Sequence, residues 1–146
     1  MNLLIDSNPV LINLAYLLLR WMSGLILFIG GAGKVMGWFG GFGLDTTVSM
    51  FQSSMNLSPF WAYLSSFTEF IGGFLIMAGL FTRPVALALF INMLVATILV
   101  GTKNFFMGGA AYPCLLMICF LYILVSGPGI LSFDALIWKR NNKNIV

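Results

Sequence analysis

Four apolar stretches, at about residues 10–33, 60–81, 84–101 and 108–127, dominate the sequence, and inside them stand two charged side chains, Arg20 and Glu69. At about 1.5 Å of rise per residue, helices of roughly 20 residues cross the ~30 Å of hydrocarbon in a bilayer. Of the 146 residues, 60% are hydrophobic and 8% charged, too few charges to clothe a water-soluble domain of this length. The expected fold is therefore all-α: a four-transmembrane-helix bundle forming a single domain over residues 1–146.

Glycines Gly30, Gly31 and Gly33 mark the expected end of the first span. The following loop opens on Gly37-Trp38-Phe39-Gly40-Gly41-Phe42-Gly43, whose glycines break helices and whose aromatic rings suit an interface. Within it Leu44, Val48, Phe51 and Met55 recur at helical spacing behind Asp45, which predicts an amphipathic helix lying on the bilayer. Phe81-Thr82-Arg83-Pro84 is the tight turn between the second and third spans, and Gly127-Pro128-Gly129 ends the fourth. Beyond it Ser132 is placed to cap a short interfacial C-terminal helix. Asp134 in its first turn and Lys139 and Arg140 at its end suit the helix dipole, and Trp138 is the expected interfacial anchor.

Net charge is +3, with Lys139, Arg140 and Lys143 gathered near the end of the chain. That is a membrane-surface pattern, and no basic face interleaved with aromatics runs along the chain, which excludes a nucleic-acid partner. Arg83, Lys139, Arg140 and Lys143 fall on one side of the bundle against Lys34 and Lys103 on the other, so both termini are expected in the cytoplasm. The first apolar stretch is too long for a signal-peptide core and is expected to remain as a helix.

The sequence contains no histidine, and Cys114 and Cys119, five apart, sit about 140° from one another on a helix, unlike a redox or zinc pair. No metal site and no covalently held cofactor is expected. Gly30-Gly31-Ala32-Gly33-Lys34 imitates a phosphate loop, but Phe28 stands at the first glycine and Val35 where Ser or Thr is needed. A Ser-His-Asp triad is impossible without histidine.

What remains is a polar layer inside the hydrocarbon. Counting rise from the predicted interfaces puts Arg20 roughly 12–15 Å, and Glu69 roughly 16 Å, from the cytoplasmic edge, with Asn92 and Tyr122 near the same depth. An unpaired charge there costs about 2.5–3.5 kcal/mol, so Arg20 and Glu69 are expected to face each other. Ser65, Ser66, Gly72 and Gly73 around Glu69, with Ser23 and Gly24 near Arg20, let helices approach closely. Arg20 shares a helix face with Asn13 and Lys34, and Asn92 with Lys103, which outlines a polar cleft beneath the amphipathic helix. Tyr112 and Tyr122 complete the candidate set, with interfacial placement or hydrogen bonding within the bundle as their structural alternative.

The order Arg20, Gly33-Lys34, Gly37-Trp38-Phe39-Gly40-Gly41, Glu69 before Gly72-Gly73, and Gly79-Leu80-Phe81-Thr82-Arg83 resembles the DoxX family. Tyr112-Pro113 and Gly127-Pro128-Gly129 with Ser132 and Asp134 extend the likeness from about Leu19 to Ala135. The resemblance implies a four-helix protein of the bacterial cell inner membrane, in a family named after the small subunit of an archaeal thiosulfate:quinone oxidoreductase. Other members are tied to quinone or thiol stress. Many relatives carry a histidine near the end of the third span where Lys103 and Asn104 stand here, so histidine-dependent proton transfer does not carry over.

Two functions follow from this. In the first, the chain is a quinone-interacting or accessory membrane subunit of a redox system, without its own cofactor. Arg20 and Glu69 then hold the ring oxygens, Lys34 favours an anionic form, and Asn92 or Tyr122 supplies a hydrogen bond. A redox partner subunit and further copies of the chain are the candidate partners within the lipid bilayer. In the second, the protein is structural, and the buried Arg-Glu pair only locks helix packing. A small transporter would call for an internal repeat, and none is visible.

Overall fold

A computed structural model of the chain describes residues 8–101, 109–129 and 131–143. Among the described residues six α-helices follow one another: α1 (Pro9–Met36), α2 (Gly43–Met55), α3 (Pro59–Ala78), α4 (Thr82–Gly101), α5 (Ala111–Ser126) and α6 (Phe133–Lys143). A single 3₁₀ turn, Trp38–Gly40, joins α1 to α2. Helices α1, α3 and α4 are long and apolar enough to cross a membrane, and α5, of 16 residues, is apolar but shorter. Lys103 and Asn104 lie outside the described residues, as does the side chain of Trp138.

Helix α1 starts where sequence chemistry favours it: Pro9 takes the first helical position and the Asn8 side chain accepts from the Val10 amide at 3.0 Å. It does not stop at Gly33. Gly31 and Gly33 are buried contact points: a Cβ on Gly31 would overlap the Phe70 amide nitrogen, and one on Gly33 would press on the Trp38 carbonyl oxygen and Gly41. Their missing side chains serve packing, and the helix closes four residues after Gly33, at Gly37, whose φ of 71° is the left-handed terminus that glycine favours. Lys34 consequently belongs to the last turn of α1 instead of the loop.

The bundle is built on two close pairs, α1 with α3 and α4 with α5, joined through α3 and α4. Small residues draw α1 and α3 together: a Cβ on Gly73 would lie 2.5 Å from the Phe28 nitrogen, and one on Gly24 would lie 2.8 Å from the Gly73 oxygen. Phe28 stacks on Phe70 across the same seam at a centroid distance of 5.2 Å. Leu27, Ile76, Ala86, Leu89, Met93, Leu116, Phe120 and Ile123 form the core between the four helices, while many large apolar side chains face outward. In water that outer surface would be costly, and in lipid it is the expected one.

The turn between α3 and α4 comes earlier than the sequence suggests. Gly79 closes α3 at Ala78, and α4 begins at Thr82, two residues before Pro84. Asp134 from α6 makes this early start favourable: its carboxylate accepts from the amides of Phe81 and Thr82, both at 2.9 Å, and from the Thr82 hydroxyl at 2.8 Å. An N-terminal cap normally comes from the residue beside the helix; this one comes from 52 residues away. Ser132 caps α6 as expected, accepting from the Ala135 amide at 3.1 Å.

Candidate functional site

The buried face of α3 carries Ala62, Ser66, Glu69, Gly72, Gly73 and Ile76, the three- and four-residue spacing of one helix stripe. Glu69 therefore points into the bundle, and its side chain is 6% exposed. A bare carboxylate in that position would be severely penalised. Lys34 answers it: Nζ donates to Oε1 at 2.7 Å and to Oε2 at 2.6 Å. Asn92 of α4 donates through Nδ2 to Oε1 at 3.3 Å, and the Ser65 hydroxyl, one turn before Glu69, donates to the same oxygen at 3.4 Å. Tyr112, at the start of α5, lies within electrostatic reach of the same carboxylate. Side chains of α1, α3 and α4 thus meet at one acidic group. The Lys34 side chain is 35% exposed, so the pair has a buried member and a member that reaches the surface. Above it the Thr47 hydroxyl of α2 approaches the Lys34 carbonyl oxygen at 3.5 Å, which brings the amphipathic helix over this end of the bundle.

Arg20 is not part of that cluster, and the expected Arg20–Glu69 pair does not form. The seam between α1 and α3 gives the reason. Gly31 abuts Phe70, so Glu69 is level with Gly31, and Arg20 is eleven residues away along α1, a displacement of about 16 Å. Reckoning depth from Val10 misplaces Arg20, because the 28 residues of α1 extend over about 42 Å and exceed the hydrocarbon. The guanidinium also reaches away from the middle of the bundle, toward the turn between α5 and α6. There Nη1 donates to the Pro128 carbonyl and Nη2 to the Leu131 carbonyl, the latter at 2.6 Å.

Tyr16, one turn before Arg20, donates to the Gly127 carbonyl, and Tyr122 of α5 meets the Tyr16 ring edge-on at 5.8 Å. Tyr122 therefore belongs with Arg20, although its predicted depth matched Glu69. Arg83 stands against the same turn: a Cβ on Gly127 would lie 3.3 Å from its Nε and Nη2. Of the eight residues singled out in the sequence, Lys34, Glu69, Asn92 and Tyr112 gather at one end, and Arg20, Tyr122, Arg83 and Asp134 at the other. Sequence reasoning passed over Tyr16 and the accepting role of the α5–α6 turn. Tyr16 was signalled by its four-residue spacing from Arg20; backbone carbonyls leave no residue-specific signal.

The two ends differ chemically. At Glu69, a proton donor and a proton acceptor are in contact and one of them is accessible, an arrangement suited to holding or protonating a polar group of a ligand. At Arg20, the cation is enclosed by carbonyls of its own chain.

A family model described as DoxX matches residues 15–102. The chain is also similar to a Bacillus subtilis (strain 168) protein named "Putative oxidoreductase CatD", with 34% identity over 130 residues, covering 88% of this chain and 92% of that protein. No solved structure matches.

Proposed function

Since this chain belongs to the DoxX family, we propose that it is an accessory membrane subunit of a redox system, and that the Lys34–Glu69–Asn92 cluster is where a quinone-type molecule docks. In this reading one domain over residues 1–146 crosses the bacterial inner membrane four times, α5 being the fourth span, with both termini in the cytoplasm, a topology that the lysine and arginine distribution supports. The amphipathic α2 and the short α6 lie at opposite interfaces. The name of the Bacillus relative supports a redox association.

The observation that carries the docking site is the contrast in exposure across the ion pair, 6% for Glu69 and 35% for Lys34. Two of the three ammonium protons are directed to Glu69, and the third is left for a carbonyl oxygen approaching from the exposed side. Asn92 donates to Glu69 through its nitrogen and keeps its carbonyl oxygen as an acceptor for a hydroxyl. The Glu69 carboxylate, balanced by Lys34, can accept a hydrogen bond from a ligand hydroxyl. A bound quinone would supply the two-electron, two-proton couple, and a partner redox protein the electrons.

Equilibrium dialysis of the purified chain in detergent against a short-chain ubiquinone tests this. Saturable binding is expected, weakened about tenfold by Glu69→Gln or Lys34→Gln, the loss of one charge-assisted contact. Uptake no greater than that of empty micelles would remove the proposal. At the other end the structural reading is favoured by a specific observation: both Nη atoms of Arg20 are engaged by main-chain carbonyls, so Arg20 fastens α1 to the α5–α6 turn.

A further inference from the structure

Arg20 forms part of the wall of a cleft of about 480 Å³ between α1, α3 and α6. Its residue is 2% exposed, its Nη atoms meet neutral carbonyls, and its Nε has no hydrogen-bond acceptor among the described residues. The acid nearest in chemistry, Asp134, has its oxygens engaged at the start of α4. Among the described residues the one ion pair is Lys34–Glu69, and Asp134 acts on Arg20 through space without a direct contact. A guanidinium in the wall of an otherwise apolar cleft still favours an anion in direct contact.

The rest of the cleft is apolar. Trp21, Phe74, Met77, Leu131, Phe133 and Leu136 line it, and Trp21, Phe74, Phe133 and Leu136 are each more than half exposed on the outer surface of the bundle. A ligand that matches both features has an anionic head and a hydrocarbon tail. Position along the bundle narrows it further. The cleft lies where α3 ends at Ala78 and α6 begins at Phe133, so its charged wall is at the end of the helices, and its apolar wall continues down α1 and α3 through Trp21 and Phe74. Space at the charged wall depends on Gly79: a Cβ there would lie 2.6 Å from the Ser132 Cβ and 3.0 Å from Arg20 Nη1. Helix α6 also carries Lys139 and Arg140, both exposed, which attract anionic headgroups to the same end.

We propose that this cleft is a binding site for an anionic phospholipid, its phosphate set against Arg20 and an acyl chain laid along Trp21, Phe74 and Leu136. Charge complementarity selects the lipid over zwitterionic neighbours, and the lipid would bind α6 to the α1–α3 pair. The site is separate from the Glu69 cluster, so either proposal can fail without the other.

Trp21 provides the readout. The full chain in neutral detergent is titrated with phosphatidylglycerol or phosphatidylcholine carrying bromine on the acyl chains, and the emission attributable to Trp21 is taken by difference from Trp21→Phe. Brominated phosphatidylglycerol is expected to quench at about fivefold lower concentration than the choline lipid, the effect of about one headgroup charge contact. Arg20→Gln should abolish that preference. Ala78→Phe, which fills the cleft without changing charge, should weaken phosphatidylglycerol quenching by a similar factor and carries the test if Arg20→Gln does not fold. Equal quenching by the two lipids overturns the proposal, as does a preference that survives in the folded variants. Stronger competition by a brominated fatty acid or by short-chain ubiquinone than by phosphatidylglycerol would also overturn it, by assigning the cleft to another class of molecule.

Discussion

At one end of the bundle a buried charge is answered by another side chain; at the other it is answered by the backbone. Glu69 is held by the mobile tip of Lys34, with Asn92 and Ser65 at longer distances. Arg20 is held by carbonyls of the α5–α6 turn, whose positions are fixed by Gly127, Pro128 and the Asp134 contacts around them. A side-chain partner can swing aside and exchange its hydrogen bonds for those of a ligand. A carbonyl cannot leave without moving the chain. The comparison assigns exchange to the Glu69 end and anchoring to the Arg20 end, and substitutions at each end should separate binding from stability.

The largest effect is expected at Lys34. Lys34→Met strands a buried carboxylate, and breaking such a pair from one side costs about 3–5 kcal/mol. It should appear as a marked fall in the unfolding temperature in detergent. Adding Glu69→Leu should restore most of that stability, because an apolar pair of similar volume avoids desolvating either charge. Both proteins should bind ubiquinone at least about tenfold more weakly than the parent. A single mutant as stable as the parent would mean that Glu69 is neutral in the bundle, and the contrast between the ends would collapse.

Arg20→Met comes next. It removes two charge-assisted hydrogen bonds to carbonyls, worth about 1.5–3 kcal/mol each before the turn relaxes, so a net loss of about 3 kcal/mol is expected. The protein that does fold should bind ubiquinone as the parent does, measured per folded molecule. Lost binding with unchanged stability would reverse the assignment of the two ends.

Much of this was legible in the sequence, for identifiable reasons. Apolar length located α1, α3, α4 and α5 within a few residues, since the bilayer imposes a length that packing cannot easily override. Small residues around Glu69 announced a close helix approach, and Gly73 does lie against α1 while Gly72 lies against Leu89 of α4. Glu69, Lys34 and Asn92 were recognised as polar groups that would need partners. Which cation meets Glu69 was not legible, because Arg20 and Lys34 share a face of α1 and the choice depends on register. Register is set where Gly31 meets Phe70, a contact between residues of no charge. The glycines of 30–33 misled for a related reason: local propensity treats them as a stop, whereas packing uses them as a contact surface. Asp134 capping a helix 52 residues away and carbonyls holding Arg20 have no local signature at all.

The smallest expected effect probes the boundary of the Glu69 cluster. The Asn92 amide lies 3.3 Å from Oε1, longer than the Lys34 contacts of 2.6 and 2.7 Å, and it is partly exposed. Asn92→Ala should therefore lower stability by only about 0.5–1 kcal/mol, the net worth of one modest hydrogen bond. If Asn92 serves a ligand as well as Glu69, ubiquinone binding should weaken by more than this stability change predicts, because the amide oxygen has no hydrogen bond described within the chain to lose. Parallel thermal unfolding and equilibrium dialysis distinguish the cases. A binding loss no larger than the stability loss would confine the exchangeable site to Lys34 and Glu69, and would leave α4 as a wall of that site with no part in recognition.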